Sequence, residues 1–187
     1  MRIIAGKFRS RRLAALKGED IRPTSDRLRE TLFNVLTPGK PGALEGSVWL
    51  DLFAGTGAVG IEALSRSAAM VYFVDSSKDS TELVRQNLQF LEVDRNFQVL
   101  QQKAGRAILA LDRQQVRPDF IFLDPPYALR DAYRTTLEAL ANSELSEKAL
   151  IIAEHEKKND LPDKFGVLQR LRKLEQGDAA LSFYRRG

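Results

Sequence analysis

Five short apolar runs, at residues 48–53, 70–74, 97–100, 120–123 and 149–153, carry no polar face. A strand with one wet side alternates apolar and polar residues, so runs without alternation suit parallel strands covered on both sides. Between them lie helical spacings: Ile61/Leu64, Val84/Leu88/Leu91, Ile108/Leu111 and Tyr133/Leu137/Leu140. Repeated strand–helix units of this kind build a doubly wound α/β sheet. The tail differs. Residues 167–174 and 180–184, split by Glu175-Gln-Gly-Asp178, predict an antiparallel hairpin on the sheet edge. That makes a mostly parallel sheet of seven strands. Upstream, Pro23-Thr-Ser-Asp26 starts a helix bearing Leu28, Leu32, Val35 and Leu36, and Thr37-Pro-Gly-Lys-Pro-Gly42 ends it. Residues 2–16 mix β-formers with arginine and predict a hairpin.

Charge divides the chain further. Of its 29 lysines and arginines, six (Arg2, Lys7, Arg9, Arg11, Arg12 and Lys17) fall in residues 1–18, with none of the 25 acids. The net charge of +4 therefore comes from an N-terminal arm on a slightly acidic remainder. Such an arm suits a phosphate-bearing partner. We divide the chain into this arm, residues 1–20, and one α/β domain, residues 21–187. There is no cysteine, which excludes disulfides, thiolate metal sites and methylation of a ring carbon through a cysteine adduct. The longest apolar run, residues 68–74, is far short of the roughly 20 residues a membrane helix needs. The N-terminus has no signal-peptide pattern, so a cytoplasmic protein is expected.

Asp51-Leu-Phe-Ala-Gly-Thr-Gly-Ala-Val-Gly60 places G-x-G-x-x-G where a strand hands over to a helix. The pattern alone admits a nicotinamide dinucleotide. Asp75, twenty residues past Gly55, suits a ribose in either reading. Asp51 separates them. A dinucleotide puts its pyrophosphate on this turn, where a carboxylate repels it. S-adenosylmethionine brings a sulfonium and an ammonium, which a carboxylate attracts. A phosphate loop of the Walker type is excluded, because Ile61-Glu62 follows Gly60.

Asp124-Pro-Pro-Tyr127 closes the apolar run Phe120-Ile-Phe-Leu123, on the ligand edge of such a sheet. The Asp124 carboxylate and the Pro125 carbonyl can accept the two protons of an exocyclic amine, aiming its lone pair at a methyl donor. Tyr127 can stack on the base, an interaction worth about 1–3 kcal/mol. Orientation and proximity then supply the catalysis, with no metal and no protein nucleophile. His155, the single histidine, ends the next run, where a structural or surface role is expected over a proton relay or a contact with RNA.

The chain resembles the RsmD family of bacterial methyltransferases, which modify guanine N2 in 16S ribosomal RNA. The residues that carry the likeness are Arg2-Ile-Ile-Ala-Gly-Lys7, Arg22-Pro-Thr-Ser-Asp-Arg-Leu-Arg-Glu-Thr-Leu-Phe-Asn-Val-Leu36, Leu50-Asp-Leu-Phe-Ala-Gly-Thr-Gly57, Asp124-Pro-Pro-Tyr127 and Glu154-His155. The resemblance implies a Rossmann-like class I methyltransferase fold using S-adenosylmethionine. It places Asp51, Phe53, Gly55 and Gly57 around the methionine part, Asp75 on the ribose, Ala104 facing adenine through its backbone, and Asp124 beside the methyl donor. Asp124, Pro125 and Tyr127 hold the guanine. Arg2, Lys7, Arg9, Arg11, Arg12 and Arg22, with Tyr127, make the RNA-contacting set. With no separate recognition module, the expected substrate is the assembled small ribosomal subunit, met by a monomer without metal. Two other readings share these residues: an adenine-N6 methyltransferase on DNA or RNA, and a catalytically silent RNA-binding assembly factor.

Overall fold

The structure, a computed structural model, describes residues 1–15, 26–40, 42–126 and 129–187. It is one mixed sheet with helices on both faces. The strands are β1 (Val48–Leu52), β2 (Met70–Asp75), β3 (Phe97–Gln101), β4 (Phe120–Leu123), β5 (Leu150–Glu156), β6 (Lys164–Phe165), β7 (Leu168–Gln176) and β8 (Ala179–Arg186). The helices are α1 (Asp26–Leu36), α2 (Ala58–Ser65), α3 (Lys78–Phe90), α4 (Ala104–Arg113) and α5 (Arg130–Ala141). The spatial order is β3-β2-β1-β4-β5-β8-β7-β6. β1 to β5 run parallel, and β8, β7 and β6 close the edge antiparallel. The order reverses between β1 and β4, and ligands of open α/β sheets bind outside the carboxyl ends at such a reversal.

The alternation that the apolar runs hide reappears as two cores. Trp49, Val71, Phe73 and Phe122 point to the face covered by α1, α2 and α3. Leu50, Leu52, Val74, Ile121 and Leu123 point to the face covered by α4 and α5. Trp49 stacks between Phe33 of α1 and Phe120 of β4, at 5.4 and 4.6 Å between ring centroids, so α1 is pinned across β1 and β4. Asp51 shares the Trp49 face, which aims its carboxylate at α2.

Two strands depart from expectation. The run at 97–100 predicts a strand covered on both sides, yet β3 is the sheet edge, and Phe97, Val99 and Leu100 are only half-buried. The two-residue β6 makes eight strands instead of seven, and a run that short leaves no periodicity to read. His155 is buried between β5 and β8, with Nε2 at 2.9 Å from Ser182 Oγ and Nδ1 at 3.0 Å from the Glu156 carbonyl. Burial holds its imidazole below the ordinary value, so it stays neutral and structural. No described helix is long and apolar enough to cross a membrane.

The N-terminal segment is shorter as a hairpin, and better fastened, than its composition suggests. Its antiparallel pairing is a single bridge between Arg2 and Arg12, flanked by Ile3 N–H to the Arg11 carbonyl at 3.0 Å and Ser10 N–H to the Ile3 carbonyl at 2.9 Å. Ile3 and Leu13 sit in the same core as Trp49 and Phe73. The buried Glu62 of α2 accepts the N–H groups of Ile4 and Ala5 at 2.7 and 3.0 Å. Ser65 Oγ accepts Phe8 N–H at 3.0 Å, and the Ser65 carbonyl accepts Lys7 N–H at 2.8 Å. Gly6, at φ +79°, passes so close that a Cβ there would lie 1.9 Å from the Ser65 oxygen. Only glycine permits this approach.

Candidate active site

The carboxyl edge of β1 and β2 shapes the glycine turn. Phe53 leaves β1 at φ +63°, and Gly55 and Gly57 follow at +54° and +78°. Gly57 N–H reaches the Ala54 carbonyl at 2.7 Å, folding the turn tightly before α2 begins. Gly60 lets α2 lie on the sheet, since a Cβ there would meet the Phe73 ring at 2.3 Å. Two acids bracket the turn. Asp75 accepts Gly55 N–H on Oδ2 at 2.9 Å and Ser77 N–H on Oδ1 at 2.8 Å. Asp51 accepts Gly60 N–H on Oδ2 at 3.0 Å.

The electrostatics of the turn favour a cation. Asp51 is buried, and burial pushes its carboxyl up to about 8. The Gly60 N–H opposes that rise and the neighbouring Asp75 adds to it. Asp124, half-buried just past β4, is held well above the usual carboxylate range by burial first, then by Glu154 and Asp51. Leu52 pairs with Leu123 and Leu123 with Ala153, so Asp51, Asp124 and Glu154 lie close together near the carboxyl edge of three neighbouring strands. An anion placed here would push the Asp51 and Asp124 carboxyls higher still. A ligand carrying positive charge would lower both, and the ionised carboxylates would attract it in return. Among the described residues no group of three or more acids, histidines or cysteines is arranged to hold a metal ion.

The structure brings Asp51, Phe53, Gly55, Gly57, Asp75, Asp124 and Pro125 to one edge. Ala104, the buried first residue of α4, joins them past β3. Gln102 N–H bonds the Asp75 carbonyl at 2.9 Å, which ties that loop to the end of β2. Tyr127 and Arg22 lie outside the described residues. Arg2, Lys7, Arg9, Arg11 and Arg12 are all exposed on the N-terminal segment. Arg11 stacks on the Phe90 ring at 4.9 Å from its centroid and donates to the Phe90 carbonyl at 3.1 Å. Sequence reasoning did not single out Glu154 as a neighbour of Asp124, nor Glu62 and Asn87 as polar groups inside the helical layer. Their spacing matches ordinary amphipathic helix or strand, and only burial exposes them.

Comparison with known proteins follows the same outline. The family model described as "Conserved hypothetical protein 95" matches residues 1–185. The chain is 37% identical over 171 residues to ribosomal RNA small subunit methyltransferase D of Haemophilus influenzae, covering 90% of this chain and 86% of that protein. It is 34% identical over 187 residues to the protein of the same name from Escherichia coli K12, covering 100% of this chain and 90% of that one. Among solved structures, yhhF of Escherichia coli, described as a candidate methyltransferase, superposes with a TM-score of 0.82 at 33% identity. That match covers 100% of this chain and 97% of the other.

Proposed function

We propose that this chain, which belongs to the RsmD family, methylates the exocyclic N2 of a guanine in 16S ribosomal RNA with S-adenosylmethionine. It would act as a cytoplasmic monomer on the assembled small subunit. The observation that carries the reading is the set of acids at the strand-order reversal: Asp51, Asp75 and Asp124 around the glycine turn, with Asp75 adding to the burial that raises Asp51. Such a pocket disfavours a pyrophosphate and favours the sulfonium and ammonium of the methyl donor. The relatives named above are ribosomal RNA methyltransferases by name, which supports the substrate class.

When bound, S-adenosylmethionine supplies an electrophilic methyl group; the remaining work belongs to the protein. Asp51 and the turn from Phe53 to Gly57 hold the amino-acid end, and Asp75 the ribose. Asp124 and the Pro125 carbonyl accept the amine protons of the guanine and leave its lone pair facing the methyl group. Tyr127 stacks on the base. The nitrogen would take the methyl group with S-adenosylhomocysteine as the leaving group, and its surplus proton would pass to water. The geometry contributes chiefly through orientation and proximity.

The N-terminal segment, residues 1–20, would grip RNA phosphates. Phosphate contacts position a protein without reading sequence, so specificity must come from a guanine already presented by its surroundings. A base already splayed from its stack costs less to extrude. The test compares initial rates on protein-free 16S RNA and on unmethylated small subunits at equal concentration, with the product read by nucleoside mass spectrometry. N2-methylguanosine formed faster on subunits is the expected result. N6-methyladenine as product would refute the base assignment, equal rates at the same guanine would refute the subunit preference, and no product at all would leave an assembly factor.

A further inference from the structure

The segment that carries the phosphate-gripping charge and the turn that would carry the cofactor meet at one side chain. Asn87, on the inner face of α3, is buried to 2% exposure. Its Oδ1 accepts the Ala14 N–H at 2.8 Å. Its Nδ2 donates to the Ala14 carbonyl at 3.3 Å and to the Thr56 carbonyl at 3.0 Å. Thr56 stands between Gly55 and Gly57, at the centre of the turn. A second contact joins the same two pieces of chain: Thr56 Oγ1 donates to Met1 Sδ at 3.6 Å.

Both amide protons of Asn87 are thus committed, one to each side. Burying a carboxamide costs free energy unless its hydrogen bonds are made, so its place on the buried face of α3 beside Leu83, Val84 and Leu88 calls for a reason. We propose that Asn87 is a positioning residue that couples RNA held by the N-terminal segment to cofactor held by the glycine turn. This inference rests on the function proposed above. RNA gripped by residues 1–15 would restrain Ala14, and through it the carboxamide and the Thr56 carbonyl. The first ligand thereby meets part of the ordering cost of the second. The coupling is reciprocal, so each ligand tightens the other by the same factor. Asn87 touches neither substrate nor cofactor.

The experiment is equilibrium dialysis of radiolabelled S-adenosylhomocysteine against the full chain, with and without saturating unmethylated small subunits. Wild type should bind the nucleoside about fivefold tighter when subunits are present, near the lower end for coupled sites. Asn87→Asp keeps an oxygen for Ala14 N–H but loses both donated bonds. Ala14→Pro deletes the N–H from the other side, at an exposed position outside the core. Each variant should still bind nucleoside and subunits separately, with the coupling reduced towards onefold. A purely structural asparagine would lower melting temperature and leave the fivefold factor intact in both variants, which would overturn the proposal. So would a wild type that binds both ligands independently. Wild type that fails to bind subunits at all, or nucleoside at all, refutes the underlying function and this coupling with it, and is seen directly in the separate titrations.

Discussion

Replacing Asp51 with asparagine should stabilise the ligand-free protein while destroying its cofactor site. The carboxyl rises from 3.8 to about 8 in the fold. A raised carboxyl contributes nothing below the unfolded value, where both states are protonated, and costs stability as pH climbs to the folded value. One pKa unit corresponds to about 1.4 kcal/mol, so the group costs roughly 4 kcal/mol at pH 7 and approaches 6 above pH 8. Asparagine can still accept Gly60 N–H, but its own N–H groups would be buried without a partner, at about 1–3 kcal/mol. The net gain is about 2 kcal/mol at pH 7, or roughly 4–8 °C in melting temperature for a domain of this size. The assay is thermal unfolding of wild type and Asp51→Asn from pH 5 to 9, with and without S-adenosylhomocysteine. The gap between the two should be near zero or reversed at pH 5 and should widen steadily to pH 8. Ligand should stabilise wild type, increasingly so at higher pH, and leave the variant unmoved. A gap that stays flat with pH, or a variant that still responds to ligand, would refute the placement of a cation against Asp51.

Asp124→Ala should lower turnover by orders of magnitude while keeping most cofactor affinity, measured by single-turnover kinetics beside a binding titration; equal loss of both would place Asp124 on the cofactor instead. Changing Lys7, Arg9, Arg11 and Arg12 to glutamine should flatten the salt dependence of RNA binding by up to about 3 in the log–log slope, at about 0.7 per charge on a single strand. Truncation is the wrong experiment, because Ile3 and Leu13 are core residues and the fold would suffer with the charge. Gly6→Ala should cost about 3 kcal/mol, from a positive φ and the contact with the Ser65 carbonyl, and chemical denaturation will report it.

The central strands were legible because burial on both faces removes polar residues altogether, leaving runs that nothing but a covered strand explains. The same rule misplaced β3, where Phe97 and Val99 lean on one core and Leu100 on the other while the strand itself forms the half-buried sheet edge. The turn from Asp51 to Gly60 and the acid at Asp124 were legible because backbone geometry and ligand charge restrict residue type there. Glu62, Ser65 and Asn87 were not. Their partners in the N-terminal segment are backbone groups between 57 and 73 residues away, and no local spacing encodes such a bond. Arginines between residues 2 and 12 advertised a partner for phosphate, while Ile3, Gly6 and Leu13 among them decide how the segment is held.

That long reach has a consequence for the order in which the chain acquires its structure. Ile4 cannot find its carboxylate until a loop of 58 residues has closed, and Ala14 waits for a residue 73 positions later. Contacts so distant in sequence are slow to form, since the entropy of closure is spent before any bond returns it. Residues 1–15 are therefore expected to be among the last to dock, on a sheet already assembled without them. Mutations in this segment should then hasten unfolding and scarcely slow refolding, the pattern of contacts absent from the transition state.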